Sequence, residues 1–284
     1  MTAAAVQVSA APRGTARKRL GRFLDRYVLY VYTGLAVIYL LLPVAVIILF
    51  SFNKPVGKSN FVWNQFSLDA WLHPLGIPGL GNSLVVSIGI AALSTLIATV
   101  LGTLMALALV RYEYRGKGLV NGIIFIPMAT PEIIMGASLL TLFVSVGKPP
   151  FFPLNFITIL IAHVMFNISY VVVTVRARLA DFPRHLEEAA MDLGANEFQT
   201  FWRVTFPLIL PGIVSAALLA LSLSIDDFVI TNFTSGRTQT FPMFIYSQAR
   251  VGVPVQVYVI GSIIFLVAVS LVGLTTLAGR RNRP

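Results

Sequence analysis

Cysteine is absent from the chain, which excludes disulfides, thiol nucleophiles and thiolate metal sites. Histidine is nearly as scarce: three isolated residues, with no H-E-x-x-H or similar spacing, give no basis for a metal site. Charge is scarce too. Charged side chains make up 11% of the chain and hydrophobic ones 57%, whereas a soluble domain carries about a quarter charged residues. The phosphate loop G-x-x-x-x-G-K-S/T is also missing, since Gly147-Lys148 lacks the upstream glycine and is followed by proline. The chain therefore has no nucleotide-hydrolysing signature of its own, and no catalytic residue or cofactor is assigned to it.

What is present is apolar sequence in blocks of membrane-spanning length, about 20 residues for a helix crossing the hydrocarbon core. Six such blocks are expected as helices: 27–50, 82–110, 119–146, 154–175, 207–233 and 255–277. The first follows an Arg-rich start (Arg13, Arg17, Lys18, Arg19, Arg22, Arg26) but is too long for a signal-peptide core, and no small-residue cleavage site follows it. It reads as a retained span. The net charge of +10 sits at the ends of the blocks, where it sets orientation, and not in a nucleic-acid-binding patch. With both termini assigned to the cytoplasm, 16 Lys and Arg fall inside and five outside (Lys54, Lys58, Lys148, Arg237, Arg250). The positive-inside rule thus predicts a multi-pass protein with cytoplasmic termini. The expected organisation is a basic N-tail (1–26), a first span with its external loop (27–81), a core of five spans (82–277) and a basic C-tail (278–284).

The longest internal loop, 181–206, carries helix signals. In "DFPRHLEEAAMDLG", Asp181 suits an N-cap, Pro183 a first turn and Gly194 a helix stop. Leu186, Ala189, Ala190 and Leu193 then form one small-residue apolar face at i, i+3, i+4, i+7. A second short helix is expected after Asn196 and Gln199, which read as a cap pair, with Phe198, Phe201, Trp202 and Thr205 at helical spacing and Pro207 closing it. The Ala-rich face suits close packing against protein better than a lipid anchor.

"EAAMDLG" (188–194), followed nine residues later by "VTFP" (204–207), resembles the EAA loop of ABC-importer membrane subunits, the binding-protein-dependent permeases. Val204 and Phe206 depart from the family's Ile and Leu by apolar exchange. "RYEYRGKG", "PMATPEIIMGASLLTLF", "LSIDDFVITNFTSG" and "FPMFIYSQARVGV" are similar to the second permease subunit of spermidine/putrescine importers. The resemblance implies an all-α, six-span permease of the bacterial cytoplasmic membrane whose loop forms a coupling helix, with Glu188, Ala189, Ala190 and Gly194 meeting the ATPase. It also implies partners: a homologous second permease, a cytoplasmic ATPase dimer that binds ATP and Mg, an extracytoplasmic binding protein, and membrane lipid. Relatives in this branch carry other small solutes, so another substrate stays open.

The polar residues within the spans are the candidate substrate path, since intramembrane acids mark such paths. On straight helices Asp226 lies roughly 22 Å up the fifth span and Glu132 about 20 Å up the third, beyond the interruptions at Pro127 and Pro131. Asp226 and Asp227 lie about 100° apart on one helix; Ser224, Asp227 and Thr231 share a stripe, and Ser222 joins Asp226. These carboxylates would complement ammonium groups, with aromatics such as Trp63 covering the methylene stems. The competing readings are helix capping by the aspartates or Glu132, pairing of the aspartates with Arg237 or Arg250, and interfacial anchoring by Trp63. His163 and Asn167, one turn apart, are expected to form interhelical hydrogen bonds. An ion-coupled secondary transporter would use the aspartates as a relay, but leaves the EAA loop without a purpose.

Overall fold

Apolar runs without charge satisfy their backbone groups internally, and in lipid the helix is the way to do so within one segment. The computed structural model describes residues 15–57, 59–180 and 183–281, and the side chains of 27–57, 59–180 and 183–270. Arg13, Asp181, Lys58 and Arg283 lie outside the described residues, and with them the proposed cap at Asp181. Among the described residues the secondary structure is helical, apart from one isolated bridge between Asn53 and Phe66.

The chain divides into two compact units. One holds α1 (Thr15–Phe50), the loop after it, α2 (Asp69–Leu72) and α12 (Val255–Arg281). Here α1 packs against α12, and Ala70, Val255 and Val259 form a small core. The loop is pinned by asparagines: Asn53 Nδ2 donates to Asn60 Oδ1 (2.7 Å) and to the Val62 carbonyl (2.8 Å), and Asn60 Nδ2 donates to the Phe50 carbonyl (2.8 Å).

The second unit, Leu75–Val253, runs from α3 (Leu80–Arg111) through α4 (Lys117–Ala129), α5 (Glu132–Val146), α6 (Phe156–Ala180), α7 (His185–Asp192), α8 (Glu197–Thr200), α9 (Phe206–Asp226) and α10 (Val229–Thr234) to α11 (Phe241–Ala249). Its core lies where α3, α6 and α9 meet. Small residues (Ala98, Ala106, Ala216, Ala220) bring the helices close, and Val171, Val172, Val175, Leu179 and Ile209 fill the space between.

Among the described residues four helices are long and apolar enough to cross a membrane, Tyr27–Phe50, Leu80–Arg111, Phe156–Ala180 and Glu197–Asp226; counting the bent pair α4–α5 as one span makes five. Two expected spans are corrected. The third is not straight: α4 and α5 meet at 108°. Thr130 turns extended (φ −82°, ψ 130°) because the residue before a proline is pushed out of the helical region, and Pro131 has no N–H to continue the ladder. Pro127 stays within α4, so Pro131 makes the break. A depth for Glu132 counted along one straight axis therefore does not hold.

The fifth span begins earlier and ends earlier than expected. A π-helical turn over Phe201–Thr205 joins α8 to α9, so Pro207 sits in the first turn of a continuing helix and does not close a separate one. At the other end α9 stops at Asp226, because Asp227 is extended (φ −63°, ψ 122°), and α10 begins two residues later at Val229. The two aspartates flank a break and do not share a helix.

Candidate functional site

Asp227 is consumed locally. Its Oδ2 accepts the Thr231 N–H (2.8 Å) and the Thr231 hydroxyl (2.7 Å), while Oδ1 accepts the Ile230 N–H (3.3 Å). Capping the first turn of α10 satisfies donors that the helix itself leaves orphaned. The side chain is only 6% exposed. The same Oδ2 lies 3.3 Å from His163 Nε2, which also contacts Thr231 Oγ1 at 2.9 Å. On the far side of the ring, His163 Nδ1 meets Ser224 Oγ (2.7 Å), and Ser224 meets Ser94 Oγ (3.0 Å). A buried polar cluster thus ties α3, α6, α9 and α10 at one level, and His163 stands at its centre.

The expected stripe of Ser224, Asp227 and Thr231 does converge, but on His163 and across the helix break. Asn167 departs from expectation: it is fully buried, and neither atom of its side-chain amide has a hydrogen-bond partner among the described residues.

Asp226 differs from its neighbour. It is exposed at the end of α9 and forms no ion pair among the described residues. Neither Arg237 nor Arg250 pairs with either aspartate there. Arg250 instead lies over the Tyr246 ring (5.0 Å to the centroid) and donates to its hydroxyl (3.0 Å). Tyr246 in turn packs on Phe228, with centroids 4.5 Å apart. Phe228 follows Asp227 directly, and Tyr246 reaches it through tertiary packing that the linear sequence did not suggest.

Glu132 is exposed in the first turn of α5, directly after Pro131, where a negative charge is favoured. It makes no side-chain hydrogen bond or ion pair among the described residues. Its helix packs against α10: a Cβ on Gly136, one turn on, would lie 2.6 Å from Phe233, so glycine is what permits this approach. Trp63 belongs to the other unit, half exposed, with its ring edge-on to Phe50 (6.1 Å, 88°).

The loop 183–206 has a different character. α7 ends at Gly194, whose φ of +90° is the left-handed conformation that glycine adopts without strain. Asn196 and Gln199 form the reciprocal cap expected from their spacing (2.9 and 3.2 Å). The predicted apolar face of α7 is unfilled: Leu193 is 90% exposed, and Leu186 and Ala189 also face outward.

Glu188 is exposed beside Arg184 (3.8 Å). The anchoring carboxylate is its neighbour Glu187, which sequence reasoning passed over. Glu187 Oε1 accepts from Arg111 Nη2 (2.6 Å) and from the Thr205 hydroxyl (2.6 Å), tying α7 to the end of α3 and to the start of α9. A groove of about 320 Å³ opens here, lined by Arg111, Arg184, Glu187, Met191, Phe201 and Thr205 among others. Only the separation of 76 residues between Arg111 and Glu187 hid this pair; nothing local marks it. No cluster of metal-ligating side chains occurs among the described residues.

Comparison with known proteins adds three observations. The family described as binding-protein-dependent transport system inner membrane component matches residues 98–283. The spermidine/putrescine transport system permease protein PotC of Haemophilus influenzae is 37% identical over 245 residues, covering 86% of this chain and 93% of that one. The putrescine transport system permease protein PotI of Escherichia coli is 38% identical over 242 residues, covering 83% and 84%. Among solved structures, a bacterial alginate ABC transporter in complex with an alginate pentasaccharide-bound periplasmic protein aligns over 94% of this chain and 97% of that one. Its TM-score is 0.67 at 17% identity, a likeness of fold. The inward-facing MetNI methionine ABC transporter aligns over 71% of this chain and 93% of that one, with a TM-score of 0.54 at 20% identity.

Proposed function

The chain belongs to the family of binding-protein-dependent transport system inner membrane components, and from that premise we propose that it forms one half of the polyamine pathway of an ATP-driven importer. The observation that carries the substrate is the identity of 37% and 38%, over most of the chain, to permeases named for spermidine and putrescine transport. The chain is a permease subunit and not an enzyme; hydrolysis belongs to a separate ATPase.

The path reading rests on the two exposed carboxylates. Glu132 and Asp226 sit at helix breaks in a membrane chain, without ion-pair partners among the described residues, and so are available to ammonium groups. Phe228 and Tyr246 add an apolar wall for methylene stems and a ring face for a cation. Asp227 and Ser224 support the path by holding the α9–α10 break. A weak site is what a conductor needs, since tight binding would stall release.

The coupling reading assigns α7, with Glu188, Ala189, Ala190 and Gly194, to a cleft of the partner ATPase. Its support is an unfilled apolar face on a helix that is itself firmly tied through Glu187. In this reading α4–α5 counts as the third of six spans within a core of 82–277, α12 is the last, and both termini lie in the cytoplasm. The exposed apolar length of α1 faces lipid and the second permease.

The test is ATP hydrolysis by the assembled importer. Hydrolysis is expected to rise when the extracytoplasmic binding protein is loaded with putrescine or spermidine. A chain that purifies without an ATPase, or hydrolysis indifferent to polyamine, contradicts the proposal.

A further inference from the structure

We propose that His163 is a positioning residue for transport: held as its Nε2–H tautomer, it locks the Asp227 carboxylate and so maintains the break between α9 and α10 that presents Asp226. The inference deepens the cation-path reading above and rests on it.

The proton assignment follows from the contacts. Thr231 gives its hydroxyl hydrogen to Asp227 Oδ2 at 2.7 Å, so towards His163 its oxygen can only accept. Nε2 therefore faces two acceptors, the Thr231 oxygen at 2.9 Å and the carboxylate at 3.3 Å. A bare Nε2 would set lone pair against lone pair in a buried site, where an unmet polar group is costly. Nε2 carries the hydrogen.

On the other side, Ser94 has two acceptors in reach, Ser224 Oγ at 3.0 Å and the Ala91 carbonyl at 3.3 Å. With the hydrogen on Nε2, Nδ1 is bare and accepts the Ser224 hydroxyl at 2.7 Å, while the single Ser94 hydrogen is shared between Ser224 Oγ and the Ala91 carbonyl. The chain then runs one way, from Ser94 through Ser224 and His163 to Thr231 and Asp227.

The consequence is mechanical. Asp227 sits in extended backbone with its side chain turned inward onto α10 and α6, so the chain direction changes immediately after Asp226. Without the His163 donor, Asp227 loses its tie to α6 and keeps only bonds to its own next turn. The break is then free to shift, and Asp226 with it. Nothing in this scheme needs His163 to touch the substrate. It acts through Asp227.

The test has two arms, both on the assembled importer. In the first, this chain carries ¹⁵N-histidine with His73→Gln and His185→Gln, both at exposed positions, and solid-state NMR in lipid reads the remaining ring. A hydrogen on Nε2 and a bare Nδ1 are expected; the opposite tautomer, or exchange between the two, overturns the assignment. In the second, His163→Asn and His163→Gln are compared for uptake. Glutamine places its amide donor near Nε2 and asparagine places its amide near Nδ1, so His163→Asn is expected to raise the KM for polyamine about tenfold while His163→Gln restores it to within about twofold.

The double variant His163→Asn/Asp227→Asn is expected to be no worse than the more severe single variant, as members of one unit are non-additive. Equal KM values in His163→Asn and the parent, or full additivity with Asp227→Asn, overturn the positioning role. If Asp226→Asn leaves the KM unchanged while the tautomer and the coupling hold, the cation path fails and the His163 lock stands.

Discussion

A carboxylate in a membrane interior is tolerated when it is paired, neutralised or wet. Asp226 and Asp227 meet that requirement in different ways although one peptide bond separates them. Asp227 accepts three hydrogen bonds from α10 beside the imidazole of His163, whereas Asp226 is exposed and forms no ion pair among the described residues. The two neutralising substitutions should therefore separate in kind. Asp226→Asn and Glu132→Gln are each expected to raise the KM for polyamine about five- to tenfold with the maximal rate nearly kept, because each removes one charge from a binding path. Asp227→Asn is expected to lower the maximal rate as well, through the loosened break. Uptake kinetics in proteoliposomes distinguish the patterns, and an unchanged KM in both Asp226→Asn and Glu132→Gln would remove them from the path. The residue types of this site were legible from the sequence, since acids in apolar runs stand out. Their division of labour was not, because "IDDFVIT" is compatible with a continuing helix and with a capped break alike. His163, 61 residues from Ser224, decides between them through a tertiary contact.

At the scale of elements, the proposed function rests on helix breaks and helix ends. The Pro131 break was readable because proline restricts the residue before it by sterics alone, though that restriction does not fix the bend at 108°. The π-helical join between α8 and α9 was not readable: Pro207 suits a first helical turn as well as a helix stop, and the structure uses the first option. In the loop, the capping box and the Gly194 stop are local features and were found; the Glu187–Arg111 tie is remote in sequence and was missed. Two substitutions probe this element. Gly194→Asp places a side chain at φ +90°, at a strain of about 1–3 kcal/mol, and should let hydrolysis proceed while uptake falls. Glu187→Ala should release α7 from its anchors by about 1.5–3 kcal/mol, seen as faster backbone hydrogen exchange over α7 and weaker coupling, while Glu188→Ala leaves that exchange unchanged. Normal uptake by Gly194→Asp would contradict the coupling role.

For the whole molecule, composition alone identified a membrane protein, and the spacing of apolar blocks located most of its long helices. Fold and family then agree: the permease match covers residues 98–283, and the fold aligns with ABC transporter subunits along nearly the entire chain. What this chain does not display is the driving force, because the ATPase is a separate partner. The most direct measurement is uptake of labelled putrescine and spermidine by proteoliposomes containing this chain, its second permease, its ATPase and its binding protein. The account predicts uptake that requires ATP on the ATPase side and is competed by the other polyamine but not by an uncharged solute. Uptake that persists without ATP under an ion gradient, or an importer that moves an uncharged solute and no polyamine, would contradict it.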